Sequence, residues 1–439
     1  MPARPDATTL GEAEPGMHRS SSLPIRALLL TSLVSIFGNQ LTGLAVPWFV
    51  LETTSSASKT GITAAVTVIP VIVATFFGGA LVDRTGYRGL SVFSDLASAV
   101  TVAAVPLFYL TTGLSFPGLL VLMFLGAILD APGTTARGAM IPQLAHRSGI
   151  PLDRINANFG MIGAASSLVA APLAGLLIAW LGPVTVLWFN AGTFLFSGLA
   201  VFLMIPALNR AEASGESFMA DVKVGLRYVA AHGLIRTIVW AALVINMLFA
   251  PLFGVAIPYF ANQELRSARA LGVMLGGEGL GVLVGSFLYG RLSARFKRRT
   301  FLLAAVLLLT LPVFPLATLP NQWVATGLLA VAGIGSGLVN PMIGTFIQTT
   351  TPAHLLGRVS GLIRAGAMIA TPIGLLLGGT MIAVLNLSGA ILAIALGLSI
   401  VLGGLWTNRS LYELDGVSLT RTLHSQGTIR NRASKRSNE

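Results

Sequence analysis

Glu278 stands in LGGEGLGVLVG, part-way into an apolar run, and is the only carboxylate set deep in the second half of the chain. An ionised side chain inside a membrane costs about 2.5–3.5 kcal/mol on insertion scales, so each one needs a partner or a function. Desolvation penalises the charged form of an acid, and an acid that is wetted and buried in turn can carry a proton. Glu278 is therefore a candidate for proton coupling, set against the plainer reading of a Glu that faces a wet cavity or a salt bridge. Asp95, in VFSDLASAV, is the second candidate, with pairing to an Arg of the nearby loop as its structural reading. Arg364 lies a similar distance into a later run, where snorkelling toward the surface is its plain reading. Asp130 and Arg137 flank Pro132 and are expected at the inner end of a helix, supporting a gate.

A second group of charges follows an apolar run in GGALVDRTGYRGL (78–90). Gly79 lets neighbouring helices approach, and Gly86 permits a tight turn at positive φ. Arg84 and Arg88 suit an inner membrane surface. Asp83 offers a negative charge to a helix amino terminus, where a partial positive charge resides. Further along, polar and aromatic residues at the centres of apolar runs are candidates to line a substrate cavity: Asn39, Gln40, Trp48, Trp188, Asn190, Asn246, Phe249 and Asn340. Such a cavity, mostly apolar with few fixed charges, suits amphipathic organic molecules better than sugars or phosphates. Pro172 and Pro372 are candidate helix bends, since each removes a backbone hydrogen bond.

These residues need elements to hold them, and the composition says which. Of 439 residues, 54% are hydrophobic and 10% charged, against roughly 25% charged in an ordinary soluble protein. Apolar runs of about 20 residues, each able to cross a membrane as helix, recur from Ile25 to Trp406. The sequence predicts an all-α integral membrane protein with twelve spans, at 25–51, 60–82, 90–112, 115–136, 156–180, 184–206, 236–260, 270–293, 300–319, 322–347, 358–384 and 387–407. Residues 1–23 and 409–439 read as disordered cytoplasmic tails. Residues 24–207 and 236–408 form two six-helix halves, and 208–235 a cytoplasmic linker whose Val222–Ala231 stretch is amphipathic.

The net charge of +12 fits the positive-inside bias better than a nucleic-acid partner, because the basic residues are dispersed over short loops and tails. With the amino terminus cytoplasmic, outer loops carry Lys59, Arg266 and Arg269, while the inner side takes Arg84, Arg88, the Arg of 137–154, the basic residues of 210–236 and 291–299, and Arg358. There is no phosphate-binding Gly-x-x-x-x-Gly-Lys-Ser/Thr loop, no metal-ligand spacing among the five His, no catalytic triad and no cysteine. Neither an enzyme nor a cofactor or metal is expected.

The two halves repeat. GALVDRTGYR (79–88) matches GRLSARFKRR (290–299), pairing Gly79 with Gly290, Arg84 with Arg295 and Arg88 with Arg299, while Asp83 meets Ala294. AAPLAGLL (170–177) matches ATPIGLLL (370–377), pairing Pro172 with Pro372. Repeats of this kind place a substrate site at their interface. The 79–88 segment resembles the signature loop of the major facilitator superfamily, Gly-x-Leu-x-Asp-Arg-x-Gly-x-Arg, and the resemblance extends over residues 25–410. LAVPWFVLETT, TARGAMIPQL and LDRINA are similar to its macrolide-efflux and multidrug-efflux bacterial branch.

That resemblance implies alternating access in the bacterial cytoplasmic membrane. It implies a latch in which Asp83 meets the start of the eleventh helix near Gly357 and Arg358, with Arg364 as a further partner. The 166–177 segment is similar to an exporter-associated Gly-Pro-Gly motif, with Ala171 in place of its first Gly. The leading expectation is a monomeric, proton-coupled exporter of drugs, antibiotics or secreted metabolites; the alternatives are an importer on the same scaffold and a non-transporting receptor or membrane enzyme.

Overall fold

The computed structural model describes residues 22–206, 208 and 218–412, and at 74–85, 218–222, 353, 354 and 364 the backbone alone. Among the described residues the secondary structure is helical throughout. The helices are α1 (Leu23–Thr54), α2 (Ala57–Thr85), α3 (Tyr87–Thr111), α4 (Phe116–Ser148), α5 (Leu152–Met204), α6 (Phe218–Ala231), α7 (Gly233–Glu264), α8 (Ala268–Leu292), α9 (Arg298–Leu316), α10 (Gln322–Thr350) and α11 (Ala353–Thr407). Nine of them, among the described residues, are long and apolar enough to cross a membrane, and α2 adds a shorter apolar stretch at Ala57–Val73.

Local chemistry sets the ends. Ser115, Ser267 and Asn321 accept from the first free backbone N–H groups of α4, α8 and α10, which would otherwise have no partner. Helix α4 runs through Ser148, a dozen residues beyond the limit expected from hydropathy. Its final turn is polar, carries His146 and Arg147, and stops at Gly149 in a left-handed cap, so the helix outlasts its apolar stretch.

The two longest helices turn sharply without a loop. Gly182 has φ 77° and ψ 160° inside α5, and Asn386 has φ 59° and ψ 178° inside α11. The Asn386 side chain then accepts from the Gly389 N–H at 2.9 Å, capping the arm that follows. Within α7, π-helical turns occur at Leu252–Ala256 and Phe260–Glu264.

The N-terminal helices pack α1 on α5, α3 on α4 and α5, and α2 on α4; the C-terminal helices pack α7 on α11, α8 on α10, and α9 on α10. Two further seams join the groups, α5 with α8 and α2 with α11. At the end farthest from residues 25 and 405, one apolar core runs through both groups, from Trp48 and Phe49 through Leu252, Phe260 and Leu271 to Ile391. At the other end there are two cores. One holds Leu28, Leu90, Met140 and Ile155, the other Ile235, Phe301, Phe346 and Val359. Trp180 and Trp323 face outward near the first end, Trp240 and Trp406 near the second.

Candidate functional site

The seams show how the two groups meet. A Cβ on Gly272 of α8 would lie 2.8 Å from the Ala171 carbonyl oxygen and 3.0 Å from the Gly175 Cα on α5. On α2, a Cβ on Gly61 would lie 2.5 Å from the Leu375 carbonyl oxygen and 3.3 Å from the Gly379 Cα on α11. Only glycine allows backbones this close. Gly61 and Gly272 stand 211 residues apart, the same interval as Gly79 and Gly290. Their targets stand 204 apart, from Ala171 to Leu375 and from Gly175 to Gly379. The expected pairing of Pro172 with Pro372 is therefore out of register by four residues. The slip is one helical turn, which keeps the same face and so escapes a comparison of Gly- and Ala-rich sequence. Pro172 itself rests on the seam, 2.6 Å from the position of a Cβ on Gly276, and Pro372 is buried.

From there α5 and α8 part. Gly279 has Leu168 at 3.8 Å from its Cβ position, while Gly163 and Gly160 on α5 and Gly290 on α8 have open space. A cleft thus opens toward the end with two separate cores. Glu278 sits where the helices diverge, half-buried and without a hydrogen-bond or ion-pair partner among the described residues. Leu280, Leu283 and Phe287 are exposed on α8, and the 3.6-residue period sets Glu278 on the opposite, inward side. Asn340 of α10 is likewise exposed and opposite to Val331 and Val324. Gln40 of α1 donates to the Ser167 Oγ of α5 at 2.8 Å. Asn246 is exposed and bonded to the Ala242 carbonyl of its own helix at 2.9 Å, one turn before the stacked Phe249 and Phe253 rings.

Other expected cavity residues lie elsewhere. Trp48 is buried in the shared core at the closed end, because the chain closes there around its largest side chains. Asn190 is 1% exposed and donates to the Thr42 Oγ1 at 2.7 Å, a helix-packing bond between α5 and α1. Trp188 lies on the flank, in an open groove of about 490 Å³ lined also by Thr185, Phe189 and Phe196.

Asp95 has a different partner from the one expected. Its Oδ1 lies 2.6 Å from the guanidinium of Arg137 on α4, not from a loop Arg, and its Oδ2 accepts from the Ser197 Oγ at 2.8 Å. Gly133 and Gly198 open the room for this, since a Cβ on either would press on Ser94 or on Asp95 itself. Arg137 also reaches the Ser35 Oγ at 3.4 Å and lies 3.9 Å from Asp130. Asp130 accepts from the Asn39 amide at 3.1 Å through Oδ2, while its buried Oδ1 has no hydrogen-bond partner. Asn39 thus belongs to a buried charge cluster. Hydropathy could not foresee this, because the cluster draws its members from four helices, Asp95 from α3, Asp130 and Arg137 from α4, Asn39 from α1 and Ser197 from α5.

Of the expected gate, Gly79, Asp83, Arg84 and Arg364 are described by their backbone alone. Gly86 has φ 82°, as the turn requires. The Arg88 guanidinium donates to the carbonyl of Phe202 and lies 5.1 Å over its ring. Arg299 in the C-terminal group likewise donates to the Trp406 carbonyl at 2.7 Å, with its guanidinium over the Tyr412 ring at 4.1 Å. Both basic residues close the carbonyl end of a helix arm, a favourable place for a cation. Arg358 is half-buried, and its carbonyl oxygen lies 3.2 Å from a Cβ placed on Gly225 of α6.

Residues 21–428 match the family of transmembrane secretion effectors. The chain is 34% identical over 385 residues to the multidrug efflux pump Tap of Mycolicibacterium fortuitum, covering 85% of this chain and 92% of Tap. It is 28% identical over 362 residues to the enterobactin exporter EntS of Escherichia coli O1:K1, covering 81% and 84%. In structure it is similar to the nucleoside transporter NupG, with a TM-score of 0.70 at 9% identity over 88% of this chain and 99% of NupG.

The chain belongs to the major facilitator superfamily, within its secretion-effector family. It is a multi-pass membrane transporter of small molecules and not an enzyme.

Proposed function

We propose that the chain exports small amphipathic organic molecules across the bacterial cytoplasmic membrane by proton-coupled alternating access. The two arms of α5 and of α11 count as two crossings each, so that α1–α5 and α7–α11 supply twelve crossings in two halves, bounded near 24–207 and 236–408 and joined by the linker at 208–235. Both termini are cytoplasmic, and the described state opens to the cytoplasm. One observation carries this reading: a shared core and two glycine seams close one end, while the other end has separate cores and a cleft with Glu278, Asn340 and Gln40 at its head. Such a body changes access by rocking about its seams.

The sparse polarity of the cleft and the relatives named as exporters support the substrate class. Glu278 is the proton carrier of this reading. Asp83, Arg84, Arg358 and Arg364 form the inner latch, and the protein acts as a monomer. In everted vesicles, an imposed pH gradient should drive accumulation of dyes and antibiotics, and Glu278→Gln should abolish it while changes of surface acids do not. Uptake by right-side-out cells would turn the assignment toward an importer.

A further inference from the structure

The cluster around Arg137 holds two carboxylates and one guanidinium. Arg137 is committed to Asp95, whose second oxygen is held by Ser197. Asp130 is left with one accepted bond and one bare, buried oxygen. An ionised Asp130 here would leave an excess negative charge on a side chain only 20% exposed, with one oxygen shut off from solvent, and a buried charge without a full complement of partners is costly. Among the described side chains around Asp130 there is no further cation. Helix α3 presents Asp95, α4 its own Arg137, α1 the neutral Asn39 and Ser35, and the second arm of α5 the neutral Ser197. Among the described side chains of α2 the one charged group is Lys59, at the far end over the Phe116 ring.

The bond that Asp130 does make leads away from the cluster. Asn39 ties it to α1, and the next residue of α1, Gln40, is bonded to Ser167 of α5. Ser167 precedes Pro172 and Gly175, the residues of the α5 seam with α8. Two side-chain bonds at adjacent positions of α1 therefore tie that helix to Asp130 on one side and to the start of the cleft on the other. A hydrogen bond to an ionised acceptor is roughly twice as strong as one to a neutral group, so a change of charge at Asp130 alters the pull on α1. The same change draws Arg137 across its 3.9 Å gap.

We propose that Asp130 is a proton site of the transport cycle, and that its protonation is read out through Asn39 and Gln40 on α1 as opening or closing of the cleft between α5 and α8. This rests on the proton-coupled reading above and adds a second site, in the N-terminal half, to Glu278 in the other. The step is one proton moving from water to the Asp130 Oδ1, forming an O–H bond and neutralising one negative charge; the reverse step returns it to water on the other side. Asp95 and Arg137, paired at 2.6 Å, position the site.

The chain has no cysteine, so Gly163→Cys and Gly290→Cys, where side chains have open space, accept a unique pair of spin labels. Their separation is measured on the full-length protein in liposomes, without substrate, from acid to alkaline pH, alongside proton uptake reported by an indicator dye. In the wild type the separation follows pH. Asp130→Asn should hold it at its acid value and remove one proton from the uptake, while Glu278→Gln leaves the Asp130-linked change in place. Asn39→Leu should keep the uptake and lose the change in separation. Asp130→Glu, which retains the acid, should restore both with a displaced midpoint.

Wild-type uptake and wild-type separation in Asp130→Asn would overturn the site, and a retained response in Asn39→Leu would overturn the α1 link. A label pair that answers to Asp130 in a protein exporting no dye would leave this inference standing while removing the export reading.

Discussion

Gly272 of α8 lies so close to Gly175 of α5 that a Cβ on Gly175 would fall 2.7 Å from the Gly272 Cα. Because the obstructing atoms are backbone, no rotamer change can make room. Gly175→Leu or Gly272→Leu should therefore wedge the closed end apart and shift the resting population toward the opposite access state. Cysteine-accessibility labelling at the two ends would read the shift, and unaltered accessibility would show that the seam yields.

Helices α8 and α10 meet along a second glycine row. Cβ atoms on Gly281 and Gly285 would run into the Ala330 and Ile334 carbonyls, and those on Gly333 and Gly337 into the carbonyls of Glu278 and Val282. Association of helices in lipid rests on close packing of this kind. Gly333→Ala and Gly285→Ala should lower Tm measurably in detergent, because overpacking costs about 1–3 kcal/mol. Gly327→Ala, on α10 but with open space, serves as the matched control and should leave Tm in place or raise it slightly.

Removing one member of a buried ion pair strands the other. Arg137→Met leaves Asp95 and Asp130 without their cation and should destabilise the N-terminal half by about 3–5 kcal/mol. The double variant Arg137→Met with Asp95→Asn should recover a large part of that loss. Thermal unfolding of the two single variants and the double variant forms a cycle, and strict additivity would contradict the pairing.

Arg88 and Arg299 are each expected to hold down the last turn of a helix arm. Arg88→Gln should cost about 1 kcal/mol and raise hydrogen exchange at residues 200–204 without altering exchange at 403–407. Arg299→Gln should do the reverse. Exchange rising at both ends in either variant would mean that the contacts do not act locally.

Tyr228 on α6 donates to the Thr350 carbonyl at 3.2 Å, and burial raises its phenol above the ordinary value of 10.0. The unfolded or undocked phenol loses its proton first as pH rises, so docking of α6 is fully present below pH 10.0 and weakens above it. Limited proteolysis of the linker should accelerate in that alkaline window for the wild type. Tyr228→Phe, with no proton to lose, should show no such onset.

The membrane class and the all-helical architecture were legible because hydropathy is a local property of the sequence, and the 211-residue interval of Gly79 and Gly290 recurs in Gly61 and Gly272. Gly182 and Asn386 fall where the expected spans left only short gaps, so the breaks could be placed although nothing local announced a turn without a loop. Residue partners were a different matter. Asp95 and Arg137 are 42 positions apart, and a single sequence offers no means of choosing Arg137 over the loop arginines. Trp48 and Asn190 show a related limit: a polar or aromatic residue at mid-span marks the inside of a bundle, but cannot say whether that inside is filled or hollow. Arg88 carried a usable signal, since its counterpart Arg299 faced the same kind of helix end, but the signal needed both ends of each arm in view.

Two tryptophans face outward toward each rim of the molecule, Trp180 and Trp323 at one, Trp240 and Trp406 at the other. Indole rings favour the headgroup layer, so these four side chains act as a float line that fixes immersion depth. A carrier moored in this way has no freedom to bob through the bilayer; its helices can only lean. Leaning changes the apolar length presented to the lipid, which makes acyl-chain length a control on turnover that needs no change in the protein at all.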